Sequence, residues 1–293
     1  EAKEMLEDIE KSSKKCSSAY EETQVWSTMG YVYFALDDIP GAAIYYRKIV
    51  DSDGAEPEFR LDTRLTLGQF YAAMEKYEMA IEQYEIWAEA AFVVGAQERL
   101  TMAQLYYQLE RKDDSLRSVR LGISEAEAKG ILPKESFWAL GTALYNEKNQ
   151  MDKVIDYLEK LVTHYPKWKY WKQLGGMFGA QERMTDQLVA YEVIYLNGEL
   201  TKESDVLAMA YMYLGAEVPY RAAKIIEKGI KDKIVEKNFK HYDLLGKSWF
   251  LAQHIPQALS SYETASKYSD NGEIQYLIGS TYLDLGQDMM AYK

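Results

Sequence analysis

The sequence has little of what usually builds a reactive centre. Cysteine occurs once, at Cys16, so no internal disulfide can form and the chain carries no cysteine clue to its redox compartment. Cys16 also lacks a neighbouring His or Gly-rich frame to activate it, so it reads as an inert thiol. Histidine occurs three times, at His164, His241 and His254. No HExxH, CxxC or paired His/carboxylate spacing accompanies them, which removes the familiar metal sites. Six prolines and 18 glycines are too few for a many-turned β fold. No apolar run reaches the roughly 18 residues needed to span a membrane. Positive charge is in deficit, with 34 Lys and Arg against 46 Asp and Glu, a net charge of −12. That excludes the basic footprint of a nucleic-acid-binding protein and docking on an anionic membrane. The acidic balance reads first as solubility, and second as a surface for a basic partner. The chain starts at Glu1 with no signal-type apolar stretch, so the missing Met implies that a preceding segment, such as a leader, has been removed.

What the chain does have is apolar residues at 47 % and an excess of tyrosine, 25 against 8 Phe and 6 Trp. Tyrosine joins a large apolar body to one polar tip, which suits a thin two-layer fold where few side chains lie far from water. These residues recur in order. Met29, Gly30 and Tyr33 are followed by Ala42, Tyr46 and Ile49. The same succession returns at Leu67, Gly68, Tyr71, Ala80, Tyr84 and Trp87, and at Met102, Ala103, Tyr106, Ser115, Val119 and Gly122. A fourth copy reads Leu140, Gly141, Leu144, Val154, Leu158 and Leu161, with one extra residue expected in its turn. Three further copies centre on Gly175, Ala210 and Gly246, and an eighth begins at Ile278, Gly279 and Tyr282. The steps between the small residues run from 33 to 38.

In the first helix of each unit, helix A, the apolar, small and aromatic residues share one side, and helix B carries a stripe at i, i+4 and i+7. Glycine in helix A costs about 1 kcal/mol of helix propensity, which close approach of helix B must offset. Each helix is too short to stand alone in water, so neighbouring pairs must stack. This succession resembles the tetratricopeptide-repeat (TPR) family, whose unit is about 34 residues. The resemblance implies an all-α fold, a right-handed α-α superhelical solenoid of about seven full repeats plus a partial eighth. It covers residues 23–293, with 1–22 as an N-terminal helical cap or partial repeat carrying Ala2, Met5, Leu6 and Ile9 on one stripe. Asp38 with Pro40, Val218 with Pro219, and His254 with Pro256 mark helix-B starts. The stretches 51–57 and 129–133 read as insertions between repeats. Met289 and Met290 open a helix B with no room to finish, leaving an apolar edge for further chain or a partner to cover.

No acid–base pair can be singled out among the scattered carboxylates, and the Met and Tyr stripes read as core, so neither a catalytic site nor a cofactor is expected. Leu174-Gly175-Gly176-Met177-Phe178-Gly179 lacks the strand and the Gly-Lys-Ser/Thr of a phosphate loop. Gly175 is the small position of the fifth repeat, while Gly176 and Gly179 read either as a loose helix turn or as a spot where a ligand backbone comes close.

In the TPR family, the inward-facing positions of helix A line a concave groove that holds a peptide or helix. Carried over, they give Tyr31 and Phe34 in the first repeat, Gln69 in the second, and Gln104 and Tyr107 in the third. They continue with Trp138 and Tyr145, then Lys172, then Tyr211, then Lys247 and Phe250. Aromatic anchors of this kind dominate interface energetics, unless they pack between adjacent A helices instead. The family's two-carboxylate clamp needs Asn where Tyr31, Gln69, Gln104 and Thr142 stand, so a co-chaperone role is disfavoured. Lys169, Lys172, Lys240 and Lys247 offer a looser basic strip.

Three stretches are more particular: Lys169 to Gly175 with Gln187 to Glu192, Gly198 to Ser204, and Val218 to Ile230. They resemble bacterial TPR proteins encoded beside a TonB–ExbB–ExbD-type energy-transduction set. That likeness implies a periplasmic protein-binding accessory of an outer-membrane uptake complex, with TonB-type components as partners and no catalytic residues. A cytosolic scaffold and an enzyme hidden in the groove are the competing expectations.

Overall fold

The computed structural model describes residues 18–268 and 272–291, together with Met5, Asp8 and Lys11. The expected cap over 1–22, including Ala2, Leu6, Ile9 and Cys16, therefore falls almost wholly outside the described residues. Among the described residues there are sixteen helices and no strand. The chain divides into two compact units, Glu1–Gln150 and Met151–Lys293. The first holds α1 (Ala19–Ala35), α2 (Ile39–Val50), α3 (Pro57–Ala73), α4 (Tyr77–Ala90), α5 (Ala96–Gln108), α6 (Lys112–Ala128) and α7 (Glu135–Glu147). The second holds α8 (Met151–His164), α9 (Trp168–Ala180), α10 (Met184–Leu196), α11 (Glu203–Gly215), α12 (Pro219–Lys231), α13 (Phe239–Leu251), α14 (Ile255–Ser266), α15 (Gly272–Asp284) and α16 (Asp288–Ala291).

Within each unit the helices pack in chain order. In the first unit, α1 pairs with α2, α3 with α4 and α5 with α6, and each B helix also touches the next A helix. The second unit repeats this from α9 with α10 to α15 with α16. The all-α succession of TPR-type hairpins expected from the sequence is thus what the chain adopts. Stacking buries one cluster around Leu67, Tyr84 and Tyr106 in the first unit and another around Met209, Ile226 and Trp249 in the second.

Local signals set the helix ends. Ser18 is the N-cap of α1. Its hydroxyl accepts the Glu21 N–H and the Glu21 carboxylate accepts the Ser18 N–H, both at 3.2 Å. Such a cap stabilises a helix by about 1 kcal/mol. Asp38 caps α2 by accepting the Gly41 N–H at 2.8 Å, with Pro40 in the first turn.

Every A helix from α1 to α15 ends in one stereotyped turn. One residue turns left-handed: Asp37, Glu75, Glu110, Asn149, Glu182, Glu217, Gln253 and Gly286 in succession. The N–H of the following residue then donates to a carbonyl five residues back. The pairs run Asp38 to Tyr33, Lys76 to Tyr71, Arg111 to Tyr106, Gln150 to Tyr145, Arg183 to Phe178, Val218 to Tyr213, His254 to Trp249 and Gln287 to Tyr282, at 2.8–3.0 Å. This is the closing bond of a Schellman turn.

That turn corrects the register of the fourth repeat. Its A–B connection, 148–150, is three residues long like the others, so no extra residue lies there. The carbonyl that closes the turn belongs to Tyr145, which makes Tyr145 the counterpart of Tyr106 and Tyr213. Counting back from it, the small position falls on Thr142, not Gly141. Helix α7 has the same 13 residues as α5 and α9, so the hairpin carries no extra residue and the added length lies in the 129–134 connection before it.

The seam of each hairpin is a meshing of sizes. A Cβ placed on Gly30 would lie 2.5 Å from the Tyr46 ring, and one on Gly246 would lie 2.4 Å from the Tyr262 ring. Gly68 stands in the same relation to Tyr84, and Gly175 to Tyr191. Where helix A instead carries Ala103 or Ala210, the same register of helix B holds the smaller Val119 or Ile226. The glycines admit rings whose burial stabilises by roughly 1.5–3 kcal/mol each, more than the helix propensity they forfeit.

Candidate functional site

The position just after the small residue of helix A faces away from the hairpin. Tyr31, Gln69 and Gln104 are exposed there in the first unit, and Gly176, Tyr211 and Lys247 in the second. Tyr31 is 65 % exposed and Tyr211 59 %, both free of the core although each ring is large and apolar. Phe34 is 49 % exposed and rests one face on Phe70, with ring centroids 5.5 Å apart. These three rings are exposed at positions named from the sequence.

The other predicted positions divide. Tyr107 is half-buried, and its hydroxyl donates to Glu147 Oε1 at 2.8 Å, tying α5 to α7. Lys112 pairs with the same carboxylate at 2.9 Å, which holds Glu147 below its ordinary range. Phe250 is half-buried against the second unit's core. Trp138 and Tyr145 are corrections: they are only 5 % and 7 % exposed. The physical reason is the one-residue register shift, which gives Tyr145 the turn register of Tyr106 and Tyr213 and carries Trp138 away from the outward line.

The expected basic strip is also altered. Lys172 donates to both oxygens of Asp205, at 2.9 and 2.7 Å, and Lys247 reaches Asp243 at 2.7 Å. Their charges are engaged within the A-helix face. Of the two glycines beside Gly175, Gly176 has open space around it, whereas Gly179 lies against the Gln187 amide. Gln187 holds a register occupied elsewhere by Ala, Ser or Val154, and Gly179 makes room for it.

Two of the tyrosines form clasps between successive hairpins. The Tyr106 hydroxyl donates to Glu85 Oε1 at 2.9 Å, Arg111 donates to the same oxygen at 3.0 Å, and the guanidinium lies 4.6 Å from the Tyr106 ring centroid. In the second unit, the Tyr213 hydroxyl donates to Glu192 Oε1 at 2.8 Å, and Arg221 shares that oxygen. Burial, reinforced by the Glu192 bond, pushes Tyr213 up to about 12, and Tyr106 is raised for the same reasons. Such tyrosines stay neutral and act as hydrogen-bond donors, holding helix B of one hairpin to helix A of the next.

The histidines have local roles. His241 Nδ1 lies 2.8 Å from the Glu236 carbonyl oxygen, His254 rests against Tyr220 and Trp249, and His164 is exposed at the end of α8. Among the described residues, no group of three His, Cys, Asp or Glu side chains is arranged to hold a metal ion.

A feature that the sequence reading missed lies beside α12 in the second unit. Three clefts flank α12. The largest, about 730 Å³, opens between the end of α12, the 232–238 loop, α13 and α14. Lys231, Lys233 and Lys237 stand at this cleft. The signal available in the sequence was the local charge. Residues 219–240 carry seven Lys and Arg against three Asp and Glu, in a chain of net −12.

No family model matches the sequence, and no curated protein matches it. Solved structures similar to this chain include a tetratricopeptide repeat protein from Parabacteroides merdae, at 15 % identity and a TM-score of 0.48, covering 90 % of this chain and 98 % of that one. MamA is similar at 15 % identity and a TM-score of 0.47, covering 56 % of this chain and 91 % of its own. The TPR2AB-domain:pHSP90 complex of yeast Sti1 is similar at 14 % identity and a TM-score of 0.41, covering 79 % and 86 %. At such identities and scores, the fold rests on the hairpins themselves.

Proposed function

We propose that this chain is a non-enzymatic protein-binding module that holds a peptide or helix against the exposed faces of its A helices. The observation that carries this reading is the outward display of Tyr31, Phe34 and Tyr211 at the register the groove requires. A large ring left in water at that register is a candidate anchor, because aromatic side chains supply most of the energy at protein interfaces. Gln69 and Gln104, exposed at the same register, would add hydrogen bonds to a bound backbone.

The finer reading is an accessory of a periplasmic TonB–ExbB–ExbD-type complex that powers outer-membrane uptake. It is supported by the sequence likeness over the fifth to seventh repeats. Neutralisation of Lys172 by Asp205 and of Lys247 by Asp243 leaves those lysines poorly placed to clamp a terminal carboxylate, which counts against a cytosolic co-chaperone.

The test combines capture with fractionation. Tyr31→Ala with Phe34→Ala, and separately Tyr211→Ala, should each reduce capture of TonB-type components from envelope fractions while the circular dichroism stays unchanged. Undiminished capture by both variants would defeat the A-helix reading. Recovery of the natural protein from the cytosol alone would defeat the periplasmic one and leave the scaffold reading in its place.

A further inference from the structure

The cleft beside α12 concentrates what the rest of the chain lacks. Arg221 is engaged by Glu192, Lys224 by Glu227 and Lys228 by Asp232. Lys231, Lys233, Lys237 and Lys240 are exposed and make no ion pair among the described residues. Three of these four stand at the 730 Å³ cleft, whose floor is the buried apolar surface of Ile230, Val235 and Leu245. Lys233 is in the left-handed region at φ 61°, in a turn position that the chain fills with Gly130 after α6 and with Gly198 after α10. A lysine there costs about 1 kcal/mol relative to glycine.

The lip is also held in place before anything binds. The Glu236 N–H donates to the Glu203 carboxylate at 2.6 Å, and Asn238 caps α13 by accepting the His241 N–H at 3.0 Å. A pre-ordered site saves the entropy of ordering on binding. Alongside, Leu196 lies 79 % exposed at the two smaller clefts on the α10 side of α12.

We propose that this cleft is a second docking surface, separate from the A-helix faces, and that it takes an acidic polypeptide segment with apolar anchors. Charge complementarity fixes the sign of the partner, since unpaired lysines on an otherwise acidic chain attract an acidic segment and repel nothing it carries. The apolar floor fixes the need for anchors. The interleaved carboxylates Glu227, Asp232 and Glu236 interrupt the basic track, which suits alternating polypeptide chemistry better than the continuous charge of a nucleic acid or an anionic bilayer.

The experiment uses the full chain and a fluorescent peptide alternating Glu or Asp with Leu and Phe, beside the same peptide with Gln and Asn in place of the acids. Anisotropy should show the acidic peptide binding, the neutral one failing, and added NaCl weakening the complex. Combined Lys231→Glu, Lys233→Glu and Lys237→Glu should weaken binding by at least about tenfold. Tyr211→Ala should bind as the unaltered chain does, and hydrogen-exchange protection should fall on residues 228–240. The three lysines are exposed, so the variant's helicity should match that of the unaltered chain. Failure of the acidic peptide to bind, or equal binding by the triple variant, overturns the proposal. So does loss of binding in Tyr211→Ala, which would move the peptide to the A-helix face. Tighter binding of duplex DNA or phosphatidylserine vesicles, abolished by the triple variant, would make this a polyanion or membrane surface instead. Self-association in sedimentation that the triple variant removes would make the occupant a second copy.

Discussion

The two units are built from the same seam but wear different surfaces. Residues 1–150 carry 17 basic and 27 acidic side chains, whereas residues 151–293 carry 17 and 19. Gly30 against Tyr46 in the first unit and Gly246 against Tyr262 in the second are the same solution to hairpin closure. The Tyr106 clasp has its twin at Tyr213. What differs lies outside that framework: acid is in excess in the first unit, and a basic cleft opens in the second. The comparison teaches that the repeat constrains sizes along its seam and leaves charge on the outer helix faces free, so binding chemistry can change from one stretch to the next without disturbing the fold.

The largest test breaks the distinction between seam and face. Trp138→Ala should cost about 3–5 kcal/mol in urea unfolding, because it removes a buried ring. Tyr31→Ala and Tyr211→Ala should each stay within about 0.5 kcal/mol. A small effect at Trp138 would return that ring to the exposed face. Next comes the claim that the seam is alike in both units. Gly30→Ala and Gly246→Ala should each destabilise by about 1–3 kcal/mol although alanine is the better helix former. Adding Tyr262→Val to Gly246→Ala should restore much of the loss by copying the Ala103 and Val119 arrangement. Gly175→Ala should cost less, since its Cβ would meet the Tyr191 ring at 3.0 Å.

A third test probes each unit by pH. Tyr213 and Tyr262 are raised from 10.0 to about 12 by burial, so their neutral forms favour the folded state. Their contribution is complete below pH 10 and is lost as the pH rises from 10 through 12. Tyr262→Phe should flatten this alkaline limb of the stability curve measured by circular dichroism. At the acid end, Lys148 and Lys112 hold Asp113 and Glu147 below their ordinary values of 3.8 and 4.5. That contribution is present above those values and is lost as the pH falls through the lowered ones, so Lys112→Gln should flatten the acid limb in the first unit. The smallest effect concerns the turns: Glu217→Gly should stabilise by up to about 1 kcal/mol by relieving a left-handed non-glycine residue. An unchanged melting temperature would mean that the Glu217 backbone carries no such cost.

The hairpins were legible because a small residue, an aromatic and a second stripe at fixed spacing leave few other folds. Tyr31, Phe34 and Tyr211 could be placed for the same reason. Trp138 and Tyr145 were misplaced because Gly141 offers a small residue one position before the one that the turn register gives. Backbone turn geometry, invisible to side-chain pattern, decides between them. The α12 cleft was illegible as a site because Lys231, Lys233 and Lys237 meet Leu245 only once α13 folds back, across a loop that no periodicity describes. Its charge was countable in advance.

The A–B connections from 36–38 to 285–287 are each three residues long, while the described B–A connections range from 165–167 to 232–238. Growth of the chain by insertion is thereby steered to one kind of joint. A lengthened B–A loop can add new recognition elements beside the array without shifting the phase of a hairpin, whereas a single residue added at an A–B joint would break the closing hydrogen bond and misalign its seam.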